Sequence, residues 1–166
     1  MQRIKDGYLD HIQRIVPLAQ KHVLEVGSGD GSRTVQIAQS AAKVTAVEPN
    51  KEMMTFARTH HQRPNILYLE GVADALPVSD CTHNVVIFTL SFHHVPADRL
   101  KMAIEEALRV STPDGRIIFF EPTFEGSFFL TVPFFFPEYS FFFRFWLIGF
   151  CTGRSVPSIK TSLISG

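Results

Sequence analysis

The residues best suited to chemistry surround a glycine-rich stretch near the amino terminus. An apolar run, Val23–Val26, is followed at alternate positions by Gly27, Gly29 and Gly31. Glycine permits positive φ and leaves bare backbone against which a ligand can lie. A helix predicted over 32–42 would point its free N–H groups at this turn. The pattern predicts a nucleotide-like ligand at the carboxyl end of a parallel strand.

Two acidic residues flank this turn in the predicted fold. Glu25 lies just before the first glycine, and Glu48 ends a second predicted strand 21 positions beyond Gly27. A carboxylate at the tip of the second strand can accept hydrogen bonds from both hydroxyls of a ribose. The sequence therefore predicts that Glu48 holds the sugar of the ligand.

Two histidines follow the fourth predicted strand. His93 and His94 are candidates for a general base, because histidine titrates near neutrality. The alternative is that one packs at the strand end and the other caps the next helix. Metal binding is not predicted, because adjacent histidines rarely share one ion and no Cys/Asp set accompanies them. Cys81 is interpreted as a loop or core thiol.

A regular alternation of strands and helices would bring these residues together. It predicts an α/β fold with a Rossmann-like doubly wound sheet in which five parallel strands are recognisable. A first helix, ended by Pro17, is interpreted as packing on the sheet edge, with Tyr8 or His11 as the alternative parts of a lid. Strands are predicted over 22–26, 44–48, 65–70, 84–90 and 116–121, helices over 6–19, 32–42, 51–60 and 98–111, and a turn over 112–115. Asn50 is the predicted N-cap of the helix over 51–60, with Met53, Met54 and Ala57 on its inner face.

Composition limits the class of protein. The chain has 166 residues, which suits one globular domain. Its 16 basic and 16 acidic residues balance, so there is no basic excess of the kind that marks nucleic-acid binding. Two isolated cysteines and the lack of an apolar segment at the amino terminus lead us to expect a cytoplasmic protein.

The character of the sequence changes near its end. Thirteen of the sixteen phenylalanines lie within 119–150. The predicted division is therefore a cap helix over 1–21, a ligand-binding domain over 22–122 and a Phe-rich segment over 123–166. Phe128–Phe150 is long enough to span a bilayer, but Pro133, Pro137 and two charges disfavour a membrane helix, and membrane contact is a lesser alternative. The segment could also form a hairpin (128–136 with 141–150), an apolar acceptor-binding element, or the end of a truncated chain.

These motifs, in this order, resemble the class I S-adenosylmethionine-dependent methyltransferases, and the group with the UbiE/Methyltransferase-11-type domain is most similar. The resemblance covers about 20–122. It rests on the glycine motif, Glu48, Asp74, the Ser91–Val95 segment and the Pro113–Gly115 turn. A nicotinamide-type GxGxxG pattern would need glycine where Ser32 stands. The resemblance implies S-adenosylmethionine as the cofactor.

The resemblance also implies roles for individual residues. Gly27 and Gly29 would let the backbone approach the methionine part of the cofactor, and Glu25 would help to hold its amino group. Glu48 would bind the ribose. Ala73 and Asp74 would flank the adenine, and Ser91 and His93 would lie beneath the methionine end. The predicted cofactor site is completed by Ser28 and Pro49.

Two departures from the family pattern affect the expected function. Val72 stands where relatives often have an acidic residue, and the usual last two strands are missing or replaced by the Phe-rich segment. The prediction is methyl transfer to a small-molecule acceptor, which could be apolar. The alternative is a truncated S-adenosylmethionine-binding domain without methyltransferase activity. An NAD-type oxidoreductase is disfavoured by Ser32.

Overall fold

Strands and helices alternate along the chain in the computed structural model, which describes residues 7–123 and 126–133, with side chains up to residue 121. A 3-10 turn, Phe92–His94, follows the fourth strand. The helices are α1 (Tyr8–Ile15), α2 (Ser32–Ala38), α3 (Lys51–His60) and α4 (Leu100–Val110), and the strands are β1 (His22–Val26), β2 (Lys43–Glu48), β3 (Ile66–Glu70), β4 (His83–Thr89), β5 (Ser111–Thr123) and β6 (Gly126–Pro133).

The described strands form one sheet in the order β3-β2-β1-β4-β5-β6. The first five are parallel, which confirms the predicted doubly wound fold. The strand order reverses at β1, which pairs with β2 on one side and β4 on the other. In open α/β sheets, ligands bind outside the carboxyl ends of the strands at such a reversal. The glycine turn follows β1 at this place.

Two apolar clusters cover the two faces of the sheet. Alternate residues of the strands belong to opposite clusters, because successive side chains point to opposite faces. On β4, for example, Ile87 belongs to the cluster that contains α1–α3 residues, and Phe88 to the cluster that contains α4 residues. Both side chains are 0% exposed. A central strand buried on both faces explains the nearly continuous apolar run in its sequence.

Local sequence signals fix several element boundaries. Asn50 caps α3 as predicted, accepting hydrogen bonds from the backbone N–H groups of Glu52 and Met53. The first helix is shorter than predicted: it ends at Ile15, because Val16 precedes a proline and is extended. Placing Met53 on the buried face of α3 was wrong, since it is 46% exposed while its neighbour Met54 is 2% exposed.

The predicted turn over 112–115 interrupts the ladder between β4 and β5. Ser111 pairs with His83, and Arg116 pairs with Val85, so the residues between them on β5 form a bulge. A β-carbon on Gly115 would lie 2.8 Å from the carbonyl oxygen of Thr112, which shows how tight this bulge is. After the bulge, residues 116–120 of β5 pair in regular register with residues 85–89 of β4.

The Phe-rich segment contributes part of the sheet. Its residues 126–133 form β6, which pairs antiparallel with β5, with Phe120 opposite Phe129. The second strand of the predicted hairpin, over 141–150, lies outside the described residues, as does most of Phe128–Phe150. Within the residues that the structure describes, no helix is long and apolar enough to cross a membrane.

Replacing Ile87 with alanine tests the central packing. The side chain is 0% exposed, so Ile87→Ala should lower the free energy of unfolding by about 2–5 kcal/mol, through lost burial and a cavity. Leu67→Ala is the matched control on edge strand β3, because Leu67 is 45% exposed. That variant should cost less than about 1 kcal/mol. Urea denaturation followed by circular dichroism measures both, and equal losses would contradict this packing.

Candidate functional site

The glycine turn lies directly after β1, where the strand order reverses. Gly27, Gly29 and Gly31 all have positive φ, of 77°, 56° and 82°. A β-carbon on Gly27 would lie 2.4 Å from Cβ of Ser91, so the missing side chain lets the turn after β4 approach. A β-carbon on Gly29 would meet nothing within 4 Å. Gly29 is therefore the position where a ligand can lie against bare backbone.

Glu48 connects the end of β2 to this turn. Its Oε2 accepts a hydrogen bond from the backbone N–H of Gly29 at 2.8 Å, and its Oε1 accepts one from Asn50 at 3.0 Å. The adjacent Pro49 is exposed. Each carboxylate oxygen has two lone pairs, so Glu48 can accept further hydrogen bonds from the hydroxyls of a ligand. The structure thus brings Glu48 to the glycine turn, as the sequence predicts.

Glu25 is a buried acid on the α1–α3 side of the sheet. It is 1% exposed, and its Oε2 accepts a hydrogen bond of 2.6 Å from the hydroxyl of Thr34 on α2. Burial raises the pKa of Glu25 to about 7. Burial, and then the nearby charge of Glu25, raise the pKa of Tyr8 on α1 well above its ordinary value. The carboxyl group is therefore held in position and is sensitive to a nearby cation.

Asp30 adds a second acid to the turn itself. The backbone N–H and the hydroxyl of Ser32 hold the pKa of Asp30 below its ordinary value, so this carboxyl is charged at neutral pH. Three charged groups near Glu25 affect its pKa: Arg33 lowers it, whereas Asp30 and Glu48 raise it. The turn therefore carries acidic side chains with one basic side chain, Arg33, close by.

Two buried hydroxyl groups lie beside the glycine turn without a partner. Ser28 Oγ and Thr89 Oγ1 have no hydrogen-bond partner within the part of the chain that the structure describes. Ser28 belongs to the glycine turn. Thr89 is the last residue of β4, the strand that pairs with β1. Buried polar groups are nearly always paired, so these two oxygens indicate a place for polar ligand atoms or water.

The turn after β4 is held against β1 by an uncommon backbone conformation. Leu90 has a φ of 54°, in the left-handed region that bulky side chains seldom adopt. Its backbone N–H donates to the carbonyl of Phe120 at 2.7 Å. The next residue, Ser91, donates its hydroxyl to the carbonyl of Val26 at 2.5 Å. Ser91 therefore lies beside the glycine turn, and its hydroxyl is already used to join the turn after β4 to the end of β1. Its place beneath the methionine part of a cofactor stays a prediction.

His93 is paired with an acid at the end of β5. Its Nδ1 lies 2.5 Å from Oε2 of Glu121. Oε1 of the same carboxylate accepts hydrogen bonds from the backbone N–H groups of Ser91 and Phe92, at 3.0 and 2.8 Å. The ring of His94 packs on that of His93, with centroids 4.0 Å apart, and both residues are exposed. The structure therefore places an oriented imidazole at the same sheet edge as the glycine turn.

The loop after β3 carries Ala73 and Asp74. The carboxylate of Asp74 accepts a hydrogen bond of 2.8 Å from Arg99, and Ala73 packs on the α4-side cluster. Arg109 fixes the end of this loop through hydrogen bonds to the carbonyls of Leu76 and Val78. Within the described residues, no hydrogen bond joins Asp74 to the glycine turn. Its predicted place beside the adenine stays a prediction.

Sequence reasoning missed three side chains that hold the site. Thr34 orients Glu25, Glu121 orients His93, and Arg99 binds Asp74. Glu121 gave a usable signal, because it ends the strand predicted over 116–121 as Glu48 ends the one predicted over 44–48. Thr34 lies on α2 and Arg99 directly precedes α4. They are nine and 25 positions away from their partners, and no pattern along the chain indicates those contacts.

Comparisons with known proteins agree with this geometry. A family model described as a methyltransferase domain matches residues 23–115, which include β1 to the bulge of β5. An uncharacterised methyltransferase of Oceanobacillus iheyensis is 27% identical over 75% of this chain and 57% of its own length. The ubiquinone/menaquinone biosynthesis C-methyltransferase UbiE of Rubrivivax gelatinosus is 31% identical over 66% of this chain and 43% of its own length.

Solved structures share the fold. A putative methyltransferase from Bacillus halodurans has a TM-score of 0.64 and 23% identity, over 70% of this chain and 52% of that one. An S-adenosylmethionine-dependent methyltransferase from Mesorhizobium loti has a TM-score of 0.61 and 16% identity, over 68% of this chain and 52% of that one. The chain spans about half the length of the curated relatives it matches. It belongs to the class I S-adenosylmethionine-dependent methyltransferase family.

Proposed function

We propose that this chain binds S-adenosylmethionine at the glycine turn and takes part in methyl transfer to a small-molecule acceptor. The observation that carries the proposal is the bare, open backbone at Gly29, which is hydrogen-bonded to Glu48 and follows the strand that carries the buried Glu25. Bare backbone between carboxylates suits a ligand that combines a ribose with a positively charged amino acid part.

Each part of the cofactor would have its own group of residues. Glu48 and the adjacent Pro49 would hold the ribose, and Ala73 and Asp74 the adenine. The methionine part would contact the turn residues Gly27, Ser28 and Gly29, with Ser91 beneath it. Ser28 Oγ is buried and has no partner among the described residues, so it could bond a polar ligand atom, which supports the fit.

The charge of the site supports the choice of cofactor. When bound, S-adenosylmethionine supplies a methyl group on a positively charged sulfur, so the protein mainly has to bind and orient it. Glu25 would hold the ammonium group of the methionine part. Asp30 adds a negative charge to the same turn. For a small acceptor, His93 and His94 lie at the open edge of the sheet as candidate bases.

Calorimetric titration tests the cofactor directly. The chain should release or absorb heat with S-adenosylmethionine and give no saturable signal with NAD. The glycine spacing favours S-adenosylmethionine over NAD, because the dinucleotide pattern needs its third glycine at the position that Ser32 occupies. Saturable binding of NAD alone would contradict the proposal.

Removing the carboxylate of Glu48 should weaken cofactor binding. Glu48→Ala should raise the Kd for S-adenosylmethionine by the equivalent of about 1–3 kcal/mol, through lost hydrogen bonds to a charged group. Glu70→Ala is the matched control: Glu70 ends the neighbouring strand opposite Glu48, but it is exposed and pairs with Lys51. Titration of both variants should show the loss only in the first. Equal affinity in the two variants would place the ribose elsewhere.

Cofactor binding should release protons, because burial holds the pKa of Glu25 at about 7. Below that pH the free protein carries a neutral Glu25, whereas an ammonium group beside it favours the carboxylate. Affinity should therefore rise as the pH increases towards 7, by up to about tenfold per unit. Titration at pH 6 in buffers of different ionisation enthalpy measures the released protons. Glu25→Gln should lower the number of protons released on cofactor binding. An unchanged number in that variant would show that Glu25 is not the group that releases them.

A further inference from the structure

We propose that Glu121 is a positioning residue that fixes His93 in the tautomer able to accept a proton from the methyl acceptor. This inference rests on the proposed function. It assigns a role to Glu121, which lies beyond residues 23–115 that match the family model. It also narrows the acceptor to molecules whose attacking atom loses a proton.

The hydrogen bonds around Glu121 determine which atom carries the proton. Oε1 accepts from the backbone N–H groups of Ser91 and Phe92, and Oε2 lies 3.4 Å from the backbone N of His93. A carboxylate with these donors acts only as an acceptor. The 2.5 Å contact with Nδ1 of His93 therefore requires a proton on Nδ1. In the neutral ring, the lone pair is then on Nε2.

The position of His93 makes this lone pair useful. The Glu121 side chain is 9% exposed, while the His93 side chain is 43% exposed, so the ring reaches from a buried anchor towards solvent. Two residues earlier, Ser91 contacts the glycine turn through Val26 and Gly27. The imidazole is thus fixed to the turn that borders the proposed cofactor site. Preorganised groups of this kind act without rearrangement during the reaction.

The chemistry suits an acceptor that carries an O–H, N–H or acidic C–H bond. The attacking atom forms the new bond to the methyl carbon with a lone pair if it is oxygen or nitrogen, or with the pair of the C–H bond if it is carbon. Its proton goes to Nε2, and the pair of a broken O–H or N–H bond stays on the oxygen or nitrogen. The pair of the former carbon–sulfur bond stays on sulfur. A tertiary amine or a thioether needs no such base, because its attacking atom has no proton to lose. The pair at His93 is therefore expected in an enzyme that methylates a protonated atom.

The tautomer of His93 can be observed without knowing the acceptor. In the 15N-labelled chain at about pH 8, two-bond 1H–15N correlations distinguish the two neutral tautomers of each histidine. The His93 signals are assigned by their loss in His93→Gln. We expect mainly the Nδ1–H form for His93. His94 is the internal reference, because its ring makes no hydrogen bond within the described residues. A predominant Nε2–H form of His93 in the unmodified chain would overturn the proposal.

The isosteric variant Glu121→Gln should reverse this tautomer. The amide oxygen would stay with the N–H groups of Ser91 and Phe92, which need an acceptor, so the NH₂ group would face Nδ1 of His93. Nδ1 would then accept, and the ring proton would move to Nε2. The ratio of the Nδ1–H to the Nε2–H form should fall by about tenfold or more, as for a lost hydrogen bond to a charged group. An unchanged ratio in a variant with a native amide spectrum would contradict the assigned role.

The acceptor class is tested with two fragments. With S-adenosylhomocysteine bound, phenol can donate its O–H to Nε2, whereas anisole cannot. Titrations followed on the His93 ring signals should give phenol an affinity about 2- to 10-fold higher, the worth of one neutral hydrogen bond. Glu121→Gln should remove this preference. Equal effects of the two fragments on the unmodified chain would overturn the acceptor class.

Calorimetry with S-adenosylmethionine separates this inference from the proposed function. If the cofactor binds and His93 shows the Nε2–H tautomer, only the role of Glu121 fails. If no cofactor binding is detected while the Nδ1–H tautomer is present, the proposed function fails, and the base role of His93 fails with it. Binding in both the unmodified chain and Glu121→Gln, together with the reversed tautomer, supports both proposals.

Discussion

The contact between Gly27 and Ser91 sets the arrangement of the whole carboxyl edge. A β-carbon on Gly27 would lie 2.4 Å from Cβ of Ser91, a separation that real side chains do not adopt. Only glycine lets the turns after β1 and β4 meet where the strand order reverses. The left-handed Leu90 and the hydrogen bond from Ser91 to Val26 complete the junction. Strain at this position is compensated by the packing of the two central strands.

Buried carboxylates organise the turns around that junction. Glu48 accepts hydrogen bonds from the backbone N–H groups of Gly29, in the turn after β1, and of Asn50, in the turn after β2. Glu121 accepts hydrogen bonds from the backbone N–H groups of Ser91 and Phe92, in the turn after β4. A charge-assisted bond of this kind is roughly twice as strong as a neutral one. The loops that would meet a ligand are therefore fixed by side chains that end strands. Such a site is largely formed before a ligand arrives, which lowers the entropic cost of binding.

The sequence predicted those features that depend on local pattern. The strands, the parallel order and the N-cap at Asn50 all follow from short-range rules that the sheet does not override. The approach of Glu48 to the glycine turn was also predictable, because its spacing belongs to a known motif. Met53 was misplaced because two adjacent methionines on a helix differ by about 100° in direction, so only one of them can face the sheet.

Contacts between elements far apart in the sequence could not be predicted from the sequence. Nothing along the chain indicates that Thr34 donates to Glu25, or that Arg99 binds Asp74, since each contact depends on how a helix lies against the sheet. The burial of Glu25 likewise follows from α1 and α2 covering that face, so its raised pKa could not be inferred from its neighbours in sequence. Glu121 shows both situations. The sequence places it at the end of the strand predicted over 116–121, but it does not indicate the contact with His93.

The residues of the candidate site lie partly inside and partly outside the segment that matches the family model. The glycine turn, Glu48 and the loop with Asp74 all lie within the segment that matches the methyltransferase model, residues 23–115. Glu121 lies outside it, on the part of β5 that pairs with β6. His93 lies inside that segment, so its contact with Glu121 joins the part of the fold that matches the family to the part of β5 beyond it. The proposed role of the pair therefore depends on residues from both parts.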